Sequence, residues 1–204
     1  MTKALVILCG GDSSRMGTNK ALLPFEDKTM VEYIIDKFSP YFDKVYLSTN
    51  ELGAYKELNL GLTELPDIYR NAGPMGAILS SLTMLREDKA FFMSVDTPFM
   101  DPSTGLYLLN QSGDYDITTF RMSEEYQNNV CGVYGRRCIA ALGKCILSHD
   151  VSRESLQARC NSNILPLEDI EKVSHIAVQQ QFFTISDRQS YYMALFSVIK
   201  NHFI

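Results

Sequence analysis

Short apolar runs and amphipathic stretches alternate along the first half of the chain. Runs of strand length occupy residues 4–9, 43–50 and 90–96, and each leads into glycine, asparagine or aspartate. Residues 30–38 and the stretch after Gly73 carry apolar side chains at helical spacing instead. Because strand and helix follow one another in this order, the pattern predicts an α/β fold of three layers, a mostly parallel sheet with helices on both faces.

Further elements are predicted from the same periodicities. A helix is expected over residues 52–60, and another after the capping pair Asp101-Pro102. In the second half we expect strands in YDITTF and NVCGVYG, a helix in RRCIAALGKCIL, and short β-like runs in HIAVQ and FFTIS. The Ser-x-x-Ser start of SRESLQARC indicates a helix cap. A terminal helix follows, with Tyr192, Leu195, Phe196 and Ile199 expected on one face.

Length and composition favour a single domain over residues 1–204. With 204 residues, 46% of them hydrophobic, the chain can bury a sizeable core, and no linker or repeat divides it. It has no run of eighteen apolar residues, and its first residues read directly into a strand instead of a signal peptide. The expectation is a soluble, cytoplasmic protein without membrane contact.

Charge and cysteine usage narrow the partners. A formal net charge of -5 disfavours nucleic acid, which generally needs a clustered basic surface, but it leaves a nucleotide open. The five cysteines have no spacing typical of a metal site, and we interpret them as reduced thiols. The three histidines are isolated from one another in sequence, so no catalytic histidine is predicted.

The first apolar run stops at two glycines, and the loop that follows contains Arg15 and Lys20. Gly10 and Gly11 allow the backbone to approach a ligand closely, and the polar residues after them can direct amides at an anion. The spacing fits neither a Walker A loop nor a dinucleotide fingerprint. A phosphate-binding loop and a plain Gly-Gly turn with scattered surface charges both remain open from these residues alone.

Asp96 follows the apolar run AFFMSV and is therefore expected at the carboxyl end of a buried strand, where open α/β sheets bind ligands. One carboxylate in that position can hold Mg²⁺ when phosphate oxygens and water complete its coordination. The alternative is that Asp96 only caps the turn into Thr97-Pro98.

The glycine loop closely resembles the signature L-x-G-G-x-S-x-R-M-G-x-x-K-x-L-L of molybdenum cofactor guanylyltransferases and their relatives. Two later segments, GPMGAILSSL and DTPF, also resemble motifs of this family. Ten positions of the loop match the signature: Leu8, Gly10, Gly11, Ser13, Arg15, Met16, Gly17, Lys20, Leu22 and Leu23.

The resemblance implies a Rossmann-like nucleotidyltransferase fold and a reaction that joins GMP from GTP to molybdopterin cofactor, with release of pyrophosphate. It divides the domain into a donor-nucleotide half, about 1–110, and an acceptor half, about 111–204. Lys20 is expected on the α-phosphate, Arg15 on the β- and γ-phosphates, and Asp96 on Mg²⁺. The remaining nucleotide contacts implied for this chain are Leu8, Cys9, Gly10, Gly11, Asn50 and Asp67.

The acceptor half departs from the family pattern. Asn128 and Asn129 stand where Gln-Pro is usual, and the segment with Thr184 and Ser186 replaces N-x-N-T-P before the last helix. We expect Asn128, Thr184 and Ser186 near the acceptor. Two alternatives follow: a relative that uses CTP or another phosphorylated acceptor, and a non-catalytic nucleotide-binding adaptor to a molybdoenzyme or a cofactor-maturation partner.

Overall fold

The computed structural model describes residues 2–10, 17–70, 72–122 and 130–202. The strands are β1 (Ala4–Leu8), β2 (Pro24–Phe25), β3 (Lys28–Thr29), β4 (Lys44–Thr49), β5 (Thr63–Pro66), β6 (Lys89–Ser94), β7 (Ile117–Phe120), β8 (Gly132–Gly135) and β9 (Ser162–Leu165). The α-helices are α1 (Met30–Phe38), α2 (Gly73–Met84), α3 (Pro102–Gln111), α4 (Ile139–Leu147), α5 (Arg153–Gln157), α6 (Val178–Gln181) and α7 (Arg188–His202).

Seven strands of the described chain form one sheet in the order β5-β4-β1-β6-β8-β7-β9. Strands β5, β4, β1 and β6 run parallel to one another. Strand β8 is antiparallel to both of its neighbours, and β7 is parallel to β9. The parallel part of the sheet therefore presents the carboxyl ends of four adjacent strands at one edge.

Side chains of β1 alternate between two hydrophobic layers, as expected for a strand buried on both faces. Leu5 and Ile7 lie in the layer that contains residues of α1, α3 and α7. Ala4, Val6 and Leu8 lie in the layer with residues of α2, α4 and α5. The predicted three-layer α/β architecture is confirmed, and helices cover both faces of the sheet.

Local capping explains where two of the predicted helices begin. The Thr29 side chain accepts from the backbone amide of Glu32, whose carboxylate in turn accepts from the Thr29 amide, forming a capping box at the start of α1. The Asp101 side chain accepts from the Ser103 amide at 2.9 Å, and Pro102 occupies the first position of α3. Both starts agree with the sequence interpretation.

Three segments differ from the prediction. Residues 52–60 form turns and a 3₁₀-helix at Lys56–Leu58 instead of an α-helix. Neither predicted β-like run near residues 175–186 is a strand, because α6 forms at 178–181 and residues 183–186 are irregular. Instead, β9 pairs with β7 at residues 162–165, a strand that the periodicity did not predict.

Within the described ranges, no helix combines the length and apolarity that crossing a lipid bilayer requires.

Candidate active site

Five of the predicted site residues line the carboxyl edge of the parallel strands. Asp67 follows β5, Asn50 follows β4, Cys9 and Gly10 follow β1, and Asp96 lies two residues after β6. The strands are neighbours in that order, so these groups lie side by side along one edge. Neighbouring strands are about 4.8 Å apart, and Asp67 and Asp96 therefore mark the ends of an edge roughly 14 Å long. This length suits a mononucleotide.

Lys20 approaches this edge from the end of the glycine loop. Its Nζ lies 3.0 Å from Asp96 Oδ2, and both side chains are largely buried, with 19% and 18% of their surfaces exposed. Asn19 caps the 3₁₀-helix Lys20–Leu22, because its side chain accepts from the Ala21 amide at 3.0 Å. The Lys20 ammonium, which can bind phosphate, and the Asp96 carboxylate, which can bind a metal ion, are therefore held in contact with each other.

Gly10 allows Asn50 to lie directly against the backbone after β1. A Cβ at Gly10 would come within 2.3 Å of Asn50 Oδ1, so any larger residue would displace that amide. The backbone of Cys9 is held by protein partners on both sides: its amide donates to Ser48 O at 2.9 Å, and its carbonyl accepts from the Tyr55 hydroxyl at 3.2 Å. Burial raises the pKa of the Cys9 thiol, which therefore stays neutral.

Asp67 is oriented by a buried serine of α2. Its Oδ1 accepts from the Ser80 hydroxyl at 2.7 Å and from the Tyr69 amide at 2.9 Å. Ser80 also accepts from the Ile68 amide at 3.0 Å. Gly76 makes this packing possible, since a Cβ there would lie 2.5 Å from Tyr69 O. The segment GPMGAILSSL, which resembles a family motif, therefore fixes the loop that carries Asp67.

The loop around Asp96 is fixed from three directions. The Thr97 hydroxyl donates to Ser94 O at 2.8 Å, Lys37 Nζ donates to Pro98 O at 3.2 Å, and the Ile185 amide donates to Asp96 O at 2.8 Å. Burial lowers the pKa of Lys37 to about 8, against a smaller opposing effect of Asp101. The Asp96 backbone is therefore held by both halves of the chain.

The predicted acceptor residues lie next to this loop. Thr184 and Ser186 are exposed on either side of the buried Ile185, whose amide binds Asp96 O. Their hydroxyls have local partners, since Thr184 Oγ1 donates to Phe182 O at 3.2 Å and Ser186 Oγ lies 3.4 Å from Asp187 Oδ2. Three other predicted site residues, Gly11, Arg15 and Asn128, lie outside the described residues.

The donor set at Asp96 is compatible with magnesium. Its carboxylate oxygens are ligands that this hard cation prefers. Among the described residues, no three His, Cys, Asp or Glu side chains converge into a metal-binding group. An ion at Asp96 would therefore draw on phosphate oxygens and water for much of its coordination, as Mg²⁺ commonly does in nucleotide sites.

A cavity of about 620 Å³ lies at the opposite edge of the sheet, lined among others by Lys89, Arg136 and Arg137. These cations are already bound to protein: Lys89 Nζ donates to Gly113 O at 2.6 Å, Arg136 donates to Leu85 O, and Arg137 Nε lies 2.7 Å from Asp116 Oδ1. None of the predicted site residues lines it. We therefore place the candidate site at the carboxyl edge, where the predicted residues converge.

Sequence reasoning did not identify Ser80, Lys37 and Tyr55, which hold the site together. Ser80 lies in a helix that the sequence predicted to have an apolar face. Its hydroxyl among apolar residues was the only sign in the sequence of a structural role. Lys37 lies on a predicted amphipathic helix, and the sequence gave no sign that its ammonium group would bind Pro98 O. Tyr55 lay within a predicted helix that does not form, so the sequence offered no sign that its hydroxyl reaches the glycine loop.

Comparison with known proteins gives consistent results. A family model described as MobA-like NTP transferase domain matches residues 5–163. A protein of Clostridium perfringens named probable molybdenum cofactor guanylyltransferase is 36% identical over 137 residues, 67% of this chain and 67% of its own length. A protein of the same name from Pelotomaculum thermopropionicum is 29% identical over 183 residues, covering 89% of this chain and 86% of the relative.

A solved structure shares the fold. The crystal structure of molybdopterin-guanine dinucleotide biosynthesis protein A from Archaeoglobus fulgidus superposes with a TM-score of 0.81 at 18% identity. The match covers 97% of this chain and 99% of that protein. At this level of identity, the likeness concerns the fold.

Proposed function

Because this chain belongs to the MobA-like NTP transferase family, we propose that it joins GMP from GTP to molybdopterin cofactor and releases pyrophosphate. The observation that carries the proposal is the 3.0 Å contact between Lys20 Nζ and Asp96 Oδ2 at the carboxyl edge of the sheet. A non-catalytic adaptor would have no need to keep a phosphate-binding cation and a metal-binding carboxylate in contact. The contact therefore favours an enzyme.

In the proposed reaction, a terminal phosphate oxygen of the acceptor attacks the α-phosphorus of GTP. A new P–O bond forms to the acceptor, the bond between the α-phosphorus and the bridging oxygen breaks, and pyrophosphate leaves with that electron pair. The attacking phosphate is already an anion, so no general base is needed. Alignment and charge neutralisation are what the protein must supply.

Each predicted nucleotide-binding residue has a proposed role. Lys20 binds the α-phosphate and stabilises the charge that grows on its oxygens, while Arg15 binds the β- and γ-phosphates. Asn50 and Asp67, with backbone groups of Leu8, Cys9, Gly10 and Gly11, hold the nucleoside and the start of the phosphate chain. The hydrogen bonds that Asp67 Oδ1 accepts from the Ser80 hydroxyl at 2.7 Å and from the Tyr69 amide at 2.9 Å support this, because they hold the carboxylate at the edge.

Asp96 is the proposed Mg²⁺ ligand. When bound, the ion would neutralise phosphate charge and help to orient the leaving group. In the structure, the Lys20 ammonium supplies the positive charge next to Asp96 Oδ2. We propose that nucleotide binding draws Lys20 onto phosphate and leaves the Asp96 carboxylate to the ion.

The acceptor belongs to the same proposal. Thr184 and Ser186 flank Ile185, whose amide is bound to Asp96 O, so a ligand beside them would lie next to the proposed metal site. Asn128 is proposed there on the family pattern alone. The departures from that pattern favour, as a second candidate, a relative that transfers to a different phosphorylated acceptor or takes CTP. Location in the cytoplasm and delivery to a molybdoenzyme or a maturation partner are part of the first proposal.

One experiment distinguishes these possibilities. Pyrophosphate release is measured with GTP, CTP, ATP and UTP, each with molybdopterin cofactor, with other phosphorylated acceptors, and without acceptor. Release that requires both GTP and molybdopterin cofactor supports the first proposal. Release with another pair supports the second candidate, and nucleotide binding without release under any combination supports the adaptor.

A further inference from the structure

One hydroxyl connects the two ends of the glycine loop. Tyr55 Oη donates to Cys9 O at 3.2 Å and accepts from Asn19 Nδ2 at 3.2 Å. Cys9 precedes the two glycines, and Asn19 directly precedes Lys20. The Tyr55 hydroxyl therefore contacts the residues on both sides of the segment that contains Arg15, and one of these residues is the immediate neighbour of Lys20.

Tyr55 is itself firmly held. Only 4% of its surface is exposed. The carboxylate of Glu64, on β5, accepts from the amides of Gly53, Ala54 and Tyr55 at 2.6, 3.2 and 3.2 Å. Three charge-assisted hydrogen bonds to one carboxylate fix the turn after β4. Burial raises the pKa of Tyr55, so its hydroxyl keeps the proton that it donates to Cys9 O.

We infer that Tyr55, held by Glu64, is a positioning residue that fixes Asn19 and, through it, the Lys20 ammonium at the reacting phosphate. The inference rests on the proposed function. Asn19 transmits the constraint because its Oδ1 accepts from the Ala21 amide at 3.0 Å while its Nδ2 donates to Tyr55. Loss of the tyrosine hydroxyl frees this amide to rotate, and the short helix that begins at Lys20 then loses its fixed cap.

The test is Tyr55→Phe, which removes the hydroxyl and keeps the ring. Because Lys20 acts mainly on the charge of the transition state, we expect kcat for pyrophosphate release to fall about five- to fiftyfold, with KM for GTP changing less than about threefold. Tyr46→Phe is the matched control. It removes a hydroxyl from β4 that contacts the Glu87 carboxylate at 3.0 and 3.2 Å, outside the candidate site.

A double-mutant cycle distinguishes positioning from general damage. If Tyr55 acts through Lys20, Tyr55→Phe should cost less than about twofold in the Lys20→Ala background. A full, multiplicative loss in that background overturns the inference, and so does wild-type kcat in the single variant. Asn19→Ser keeps a capping oxygen but loses the amide donor, so it should reproduce the Tyr55→Phe effect without adding to it.

A second measurement does not need activity. Amide hydrogen exchange at Ala21 and Leu22 should become at least about fivefold faster in Tyr55→Phe and Asn19→Ser, and should be unchanged in Tyr46→Phe. Unchanged exchange in both site variants overturns the inference. If the wild-type protein releases no pyrophosphate with any substrate, the proposed function fails, and the exchange data still decide whether Tyr55 fixes the loop.

Discussion

Lys20 and Asp96 are 76 positions apart in the sequence, and their side chains meet because β1 and β6 are adjacent parallel strands. Both are largely withdrawn from water, so each charge depends on its partner more than a surface pair would. The pair keeps the Lys20 ammonium and the Asp96 carboxylate at the place where phosphate is expected. A bound phosphate could replace Asp96 as the partner of Lys20, and a metal ion could replace Lys20 as the partner of Asp96. The value of the pair is therefore pre-organisation of the site more than stability.

The first prediction concerns the cation. Lys20→Ala should lower turnover on the order of 10² to 10³-fold, because it removes one positioned group that stabilises transition-state charge. Steady-state pyrophosphate release measures the effect. Lys28→Ala is the matched control, since Lys28 pairs with Asp36 at an exposed position. A loss below about tenfold for Lys20→Ala would mean that the Lys20 ammonium does not stabilise the transition state.

The second prediction concerns the carboxylate. Asp96→Asn should keep the fold but weaken the apparent affinity for Mg²⁺, because a neutral amide is a poorer ligand for a hard cation. Pyrophosphate release is measured over a magnesium titration, with Asp36→Asn from the exposed pair as the control. Wild-type rates for Asp96→Asn throughout the titration would show that Asp96 does not hold the ion.

At the scale of elements, the apolar runs predicted β1, β4 and β6 and the edge where Gly10, Asn50 and Asp96 lie. Continuous apolar runs of this length are typical of strands that are buried on both faces, so few other structures could be assigned to them. Residues 52–60 were predicted wrongly because helical spacing could not reveal that Glu64 takes the amides of residues 53–55. Strand β9 was missed because its pairing with β7 is a long-range contact and its residues are largely half-exposed.

The irregular segment before α7 shows the same limit. Its FFTIS pattern is typical of a strand, but the Ile185 amide bonds to Asp96 O instead of to a sheet neighbour. In α7 the predicted face was partly wrong: Ala194 is buried, whereas Tyr192 and Phe196 are exposed. The buried residues of α7 at positions 188–198 are Ala194 and Val198, and local periodicity did not predict this narrow stripe; the side chain of Ile199 lies outside the described residues. The family resemblance predicted the candidate site residues but gave no indication of which residues fix them.

The third prediction tests how the Asp96 loop is held. The pKa of Lys37 is lowered to about 8 by burial, below its ordinary value of 10.5, so the folded state binds this proton more weakly than the unfolded chain. The penalty is fully present below about pH 8 and is relieved as pH rises toward 10.5. Relative to Lys37→Met, wild type should gain on the order of 1 kcal/mol of unfolding free energy between about pH 7.5 and 9.

Urea unfolding of both proteins at each pH measures this difference in unfolding free energy. The contributions of tyrosines and cysteines, which also titrate in alkali, are the same in both proteins and cancel. Asp101 is the charged group that opposes the shift, and it stays ionised throughout the range. A constant difference between the two proteins would mean that Lys37 is not desolvated. In that case, its bond to Pro98 O would not hold the loop in the way described.

At the scale of the whole molecule, the two halves share one sheet and one loop. Strand β6 of the first half pairs with β8 of the second, and the Ile185 amide reaches the carbonyl of Asp96. The family resemblance seen in the sequence is confirmed by the match over residues 5–163. That match ends before Thr184, so the segment nearest the proposed acceptor lies in the part of the chain that the family model does not cover.

The last prediction therefore concerns acceptor choice. A hydroxyl in place of an amide has less reach and one fewer hydrogen-bonding group, and an imperfect hydrogen bond costs roughly 0.5 to 1.5 kcal/mol. Two such losses amount to about ten- to a hundredfold in binding. Thr184→Asn combined with Ser186→Asn should lower KM for molybdopterin cofactor by up to that factor and leave KM for GTP nearly unchanged. Both side chains are exposed, so the longer amides fit without repacking the core.

Ser197→Asn is the control for this pair, because Ser197 is an exposed serine on α7 about 15 Å further along the helix axis than Asp187. It should change neither KM. If the double variant leaves KM for the acceptor unaltered, or moves both KM values together, the segment around Ile185 does not contact the acceptor. The choice of molybdopterin would then depend on the first half of the chain alone, where the roles proposed for Lys20 and Asp96 are common to any nucleotide transfer and do not select what receives the nucleotide.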